Sequence, residues 1–183
     1  MKPNRVKKLF AEYIREIVFG LEDSLVSTLG AIVGIAVGSQ SRFVVILSGL
    51  VILAAEATSM SAGSYLSSKS ATETEEHLHT THSKHKHQVN PIFGAGIMGI
   101  FYLCGGCIPL IPFFLLDVHS AILPSIILTA LSLFLVGYWA SKFTKRSALK
   151  SGLEMMSISL AAAIVGYLVG YAVSHYYGVN LPV

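Results

Sequence analysis

Residues 43–66 read FVVILSGLVILAAEATSMSAGSYL, an apolar run broken by a single acid, Glu56. The run is long enough for the approximately 20 residues that an α-helix needs to cross a bilayer. Hydrocarbon selects the helix because it satisfies every backbone N–H and C=O within one segment. A carboxylate at the centre of such a helix costs about 2.5–3.5 kcal/mol and rarely persists without a function. Met60 follows Glu56 by one turn and shares its face.

Four more segments read the same way: about Ile17–Gly38, Pro91–Leu116, Ala121–Ala140 and Gly152–Tyr176. The chain of 183 residues is 53% hydrophobic and only 13% charged, with a mean hydropathy of +0.65. Soluble domains carry about 25% charged residues. The expectation is an all-α integral membrane protein with five transmembrane helices in a single domain, residues 1–183. Residues 1–16 do not read as a cleaved leader, because Arg15 and Glu16 abut the first apolar run and no small-residue cleavage site follows.

Loop charges orient it. Lys2, Arg5, Lys7, Lys8 and Arg15 precede the first span; Lys69, Lys84 and Lys86 follow the second; Lys142, Lys145, Arg146 and Lys150 follow the fourth. Only Arg42 falls on the other side. The positive-inside rule then places the N-terminus in the cytosol and the C-terminus opposite, as an odd number of spans requires. Residues 1–16 read as an amphipathic cytosolic lead-in, with Val6, Phe10 and Ile14 at helical spacing between basic residues. A plain lead-in to the first span fits the same residues.

The candidate ligands lie along the cytosolic half. At about 1.5 Å per residue, Asp23 lies roughly 9 Å into the first span and Met60 a similar distance into the second. Glu56 sits one turn deeper. Two hard oxygens and a soft sulfur at membrane depth favour a borderline transition-metal cation such as Fe²⁺ or Mn²⁺ over Mg²⁺ or Ca²⁺. Lys and Arg are absent from these spans, which weakens the alternative of a helix-locking ion pair. Glu22 points about 100° away from Asp23 on a helix. Glu154, Met155 and Met156, at the start of the fifth span, form a second candidate ligand group, or pack at the interface.

Residues 67–90 read as a cytosolic loop. It carries Glu73, Glu75, Glu76, His77, His79, His82, His85 and His87, a composition that captures divalent metals without the spacing of a structural zinc site. A solvated polar linker fits equally. Cys104 and Cys107 lie on one helix face, and a disulfide within one turn is geometrically poor; small apolar packing is the simpler reading. Pro109 and Pro112 are expected to shape or kink the third span. Gly30, Gly34 and Gly38, and Gly166 and Gly170, form small-residue faces for close helix packing. No Ser/His/acid set lies in a span and no glycine loop cradles phosphate, so an enzyme is not expected. The net charge of +3 follows from topology and gives no support to nucleic-acid binding.

Ser59-Met60-Ser61-Ala62-Gly63-Ser64-Tyr65-Leu66-Ser67-Ser68-Lys69-Ser70 resembles the S-M-x-x-G-E-Y-L-S-x-K-S signature of the vacuolar iron transporter family. Asp23-Ser24-Leu25 looks like the family's Asp-Gly-Leu, and Gly106-Cys107-Ile108-Pro109-Leu110-Ile111-Pro112-Phe113 its small-residue, Pro-Leu-x-Pro stretch. Ser64 and Ser24 replace a family glutamate and glycine. The resemblance covers most of the chain from Glu16 onward. It implies a transporter moving Fe²⁺ and Mn²⁺ out of the cytosol by proton antiport, a homodimer with the ion path between subunits, and path roles for Asp23 and Met60. Glu56 is carried over by position only. The plant-type metal-binding domain between spans two and three is replaced here by the short His/Glu loop, so this is a short form.

These readings converge on an exporter whose Asp23 and Glu56 bind the cation and exchange it for protons. No cofactor is expected beyond the transported Fe²⁺ or Mn²⁺, and the partners are the cation, protons, the lipid bilayer and a second copy. The membrane would be the cell membrane in a prokaryote or a vacuolar-type membrane in a eukaryote. The rivals are a metal-sensing or structural membrane protein without transport activity, and a proton-coupled carrier of an organic cation.

Overall fold

A computed structural model of the protein describes residues 12–77, 90–144 and 147–177; the side chains of 75–77, 144 and 177 fall outside the described set. Five helices follow in order: α1 (Ile14–Ser39), α2 (Arg42–His77), α3 (Pro91–Leu115), α4 (Val118–Thr144) and α5 (Ala148–Tyr177). Each is long and apolar enough to cross a membrane. The chain is an integral membrane protein with five spanning helices, as its composition predicts.

The turns are short and their chemistry is local. Gln40 ends α1 in the left-handed conformation (φ 50°), its N–H bonding to the Ala36 carbonyl. The Asn90 side chain caps α3, accepting from the N–H groups of Ile92 (3.0 Å) and Phe93 (3.4 Å), with Pro91 at the first helical position, where its missing N–H costs nothing. Arg42 donates to the carbonyl of Phe114, one of the last carbonyls of α3 that have no intrahelical partner. α3 continues through both Pro109 and Pro112. Ser125 of α4 donates to the Pro109 carbonyl at 2.7 Å, tying these helices together.

α2 departs from the sequence reading. The helix does not stop near Leu66 but runs on to His77, so the first eleven residues of the expected loop 67–90 are helical. Apolarity measures what enters hydrocarbon, whereas a helix persists until its backbone is interrupted. Residues 64–77 contain neither Gly nor Pro. Ser67, Thr72 and Thr74 bond back to carbonyls three or four residues earlier, and Lys69 pairs with Glu73 at 3.8 Å. The remainder of that loop, with His79, His82, His85 and His87, lies outside the described residues, as does most of the N-terminal lead-in.

α1 is the centre of the bundle and packs against all four other helices. Leu25, Leu29, Ile32, Val33 and Ala36 are fully buried. Directions alternate: Gly20 meets Met98 and Gly105 meets Ser24, so α1 and α3 are parallel, while Gly106 meets Leu53 and Gly99 meets Ala57, so α2 opposes α3. The small-residue faces of α1 and α5 pair with each other. A Cβ on Gly30 would meet the Ala162 carbonyl oxygen at 3.3 Å, one on Gly34 the Gly166 oxygen at 2.8 Å, and one on Gly38 the Gly170 oxygen at 3.5 Å. The partner of each face is therefore within the chain. Cys104 and Cys107 are exposed on the outside of the bundle, contrary to the expected packing, because Tyr102, Gly105 and Gly106 take the inward face of α3.

Gly34→Val should disrupt the α1–α5 contact, lowering stability by about 1–3 kcal/mol as overpacking does, read as a lower thermal midpoint in detergent. Gly63→Ala, where a Cβ meets nothing within 4 Å, should raise the midpoint through helix propensity.

Candidate functional site

The polar cluster forms where α1, α2 and α3 meet. Tyr102, fully buried on α3, donates its hydroxyl to Glu56 Oε2 at 2.6 Å. Ser27 of α1 donates to the same oxygen at 2.9 Å, and the Ser27 and Tyr102 hydroxyls lie 2.9 Å apart. Hydrogen bonds to a charged group contribute about 1.5–3 kcal/mol each, enough for two to offset the cost of placing the carboxylate among apolar helices. Glu56 thus joins three helices through one oxygen.

Asp23 lies one turn before Ser27 on α1, near both Tyr102 and Glu56. The Ser27–Glu56 contact fixes the register of the opposed helices α1 and α2. It sets Met60 level with Asp23, one turn from Glu56. Met60 is half-buried and packs against the cluster that contains Ala57 and Tyr102. The three residues predicted from sequence therefore come together. Glu22 is half-buried beside Asp23.

The other candidates separate. Continuing the α1–α5 glycine register back two turns brings Met155 level with Asp23. Met155 and Met156 are half-buried and Glu154 is exposed. Glu73 is exposed and paired with Lys69, about 25 Å along α2 from Glu56 at the usual helical rise. The side chains of Glu76 and His77, and all of His79, lie outside the described residues. Among the described residues no three His, Cys, Asp or Glu side chains converge into a preformed metal cluster. A ligand set drawn from carboxylate, hydroxyl and thioether suits passage better than permanent retention, since conduction needs binding weak enough to release.

Sequence reasoning missed three residues. Tyr102 looked like one more aromatic in an apolar helix, and Ser27 like one more small residue. Their sole signal was a hydroxyl at membrane depth, where every polar atom needs a partner. Glu16, two turns before Asp23 on α1, is buried with 8% exposure. In the sequence it stands beside Arg15, just before the first apolar run.

An open groove flanks the cluster. It has a volume of about 1040 Å³ and runs between α1 and α5 along Gly30, Gly34, Gly38, Gly166 and Gly170, with Ser27 among its lining residues. The site thus reaches the outside of the bundle through the residue that holds Glu56.

The chain is similar to known proteins of one family. A profile of the VIT family matches residues 14–88 and 74–171. An uncharacterized protein of Methanocaldococcus jannaschii is 30% identical over 168 residues, covering 85% of this chain and 87% of that one. Vacuolar iron transporter 1 of Arabidopsis thaliana is 24% identical over 219 aligned positions, 90% of this chain and 87% of its own length. Vacuolar iron transporter 1 of Eucalyptus grandis is 24% identical, over 88% and 87%.

Tyr102→Phe removes the 2.6 Å bond to Glu56 and keeps the ring. In a double-mutant cycle with Glu56→Ala, unfolding should show a coupling of about 0.5–3 kcal/mol. Strictly additive effects would mean that the two residues share no energy.

Proposed function

The chain belongs to the VIT family, and from that premise we propose that it transports a divalent transition-metal cation, Fe²⁺ or Mn²⁺, out of the cytosol in exchange for protons. The observation that carries this reading is the Glu56 carboxylate, held by Tyr102 and Ser27 inside apolar helices and close to a second carboxylate, Asp23. Relatives named as iron transporters support the class of cargo.

In the proposed cycle the cation enters from the side rich in Lys and Arg, which the positive-inside rule makes cytosolic. Glu16, Glu22 and the Glu154–Met156 group lie toward that side. The cation meets Asp23 and Met60 at one level, then Glu56 one turn deeper. Two carboxylates neutralise a divalent charge, and the Met60 sulfur biases the site toward softer ions. Two carboxylates near one another in an apolar setting attract a cation or protons to offset their mutual repulsion. Cation and protons then compete for the same oxygens, which couples outward metal movement to inward proton movement. The Tyr102 and Ser27 hydroxyls keep Glu56 oriented in either state.

A second copy of the chain is proposed as the partner. The α1–α5 groove is apolar and reaches Ser27, so a second protomer seated there would shield the site from lipid and complete the path between subunits. The helical end of α2, with Glu73, and the His-rich segment beyond it serve as accessory metal capture.

Asp23→Asn and Glu56→Gln keep size while removing charge. In reconstituted vesicles each should fold as wild type and lower Fe²⁺ or Mn²⁺ flux by about tenfold or more, the worth of one charge-assisted contact. Wild-type rates in the Asp23→Asn protein would overturn the site assignment.

Met60→Leu preserves volume and deletes the sulfur. Fe²⁺ flux should fall more than that of harder cations, measured by competition in the same vesicles. Equal loss for every ion would make Met60 a shaping residue and not a ligand.

A further inference from the structure

Thr28, one residue beyond Ser27 on α1, has no surface exposure, and its Oγ1 is a buried side-chain oxygen without a hydrogen-bond partner. Neighbouring hydroxyls in the spans behave otherwise. Ser24 donates to the Leu21 carbonyl at 3.1 Å, Thr58 to Ala54 at 2.8 Å, Ser61 to Ala57 at 2.7 Å, and Thr129 to Ser125 at 2.8 Å. Bonding back to a carbonyl one turn earlier is the ordinary way a helical Ser or Thr is satisfied. Thr28 forgoes it, at the cost that an orphaned buried hydroxyl carries.

Its surroundings indicate what the hydroxyl faces. A Cβ built on Gly106 would lie 2.9 Å from Thr28 Oγ1, and it would also run into the Leu53 side chain. Gly106 is one turn past Tyr102 on α3, and Leu53 is one turn past Glu56 on α2, both in the direction away from Asp23. Thr28 therefore sits in the interior of the three helices, next in line after the Glu56–Tyr102–Ser27 cluster. Farther along, Ile32, Val45, Leu110 and Phe113 close the interior with exposures of 0–1%. Thr28 stands between the charged site and an apolar seal.

We propose that the Thr28 hydroxyl is a neutral oxygen donor for the partly hydrated cation as it leaves Glu56, a release station on the far side of the carboxylates. This rests on the transport reading above. A carboxylate binds a divalent ion strongly, and passage requires that the ion also leave. A hydroxyl offers two lone pairs, and one without an internal partner is free to turn them toward the ion. The absence of a side chain at Gly106 lets the Thr28 hydroxyl and the Leu53 side chain lie directly against the α3 backbone, so a rotation of Leu53 would open the hydroxyl to the ion. Parting of the Ile32–Leu110 layer would complete exit.

The test is Thr28→Val in purified protein, reconstituted and assayed with Mn²⁺. Valine matches the shape and deletes the oxygen. Maximal flux should fall by about tenfold, the effect of one contact to a charged group, while the half-saturating Mn²⁺ concentration, set at Asp23 and Glu56, stays within about twofold. The thermal midpoint should hold or rise, because an orphaned hydroxyl has been removed. Thr28→Ser should recover most of the flux. Wild-type flux in Thr28→Val would overturn the proposal, as would a Thr28→Ser protein equally impaired and less stable, which would mark a packing role. An absence of Mn²⁺ flux in the wild-type protein would overturn the transport reading and this one with it; flux that depends on Glu56 but not on Thr28 would overturn this one alone.

Discussion

The approach of α1 to α5, backbone against backbone at Gly34 and Gly166, is the constraint on which the remaining geometry depends. Hydrocarbon supplies no hydrophobic drive to join two apolar helices, so close van der Waals contact must do it. Glycine on both sides permits that contact. With α5 held flat against one face, α1 is free to present its other faces to α2, α3 and α4, and its middle becomes the most enclosed part of the chain. Every polar atom on that stretch then requires a partner. Ser24 finds its own backbone, Ser27 finds Glu56, and Thr28 finds none.

Glu56 is the complementary case. Its cost in an apolar setting is offset by Tyr102 and Ser27, which come from different helices and meet at one carboxylate oxygen. The same bonds that make the acid tolerable fix the register of three helices and align Asp23 with Met60. The structural role of this cluster is therefore compatible with the proposed transport role. In the proposed cycle the site is empty, protonated or metal-loaded in turn, and hydroxyls, which donate or accept, suit each condition.

The glycine contact has a second consequence. Where two helices touch at their backbones, their side chains splay apart, and the groove along α1 and α5 is the outer side of that splay. It ends at Ser27. Charge inside the bundle and a concave apolar surface outside it are thus one residue apart, at the place where the proposed second protomer would sit.

The sequence by itself determined the class of fold and the depth of the charges. Length of apolar runs fixes how many times the chain crosses, and helical rise fixes how far along a span Asp23, Glu56 and Met60 sit; both are local properties. It also carried the small-residue faces, although not their partners. It misplaced the end of α2, since a helix without Gly or Pro continues past the hydrocarbon boundary. Only tertiary structure decided which atoms meet. Pairing of the glycine faces within the chain, outward placement of Cys104 and Cys107, and recruitment of Tyr102 and Ser27 to Glu56 all depend on the rotation of one helix relative to another. Rotation is set by packing summed over whole faces, and a single hydroxyl among apolar residues leaves no periodic trace in the sequence to reveal it.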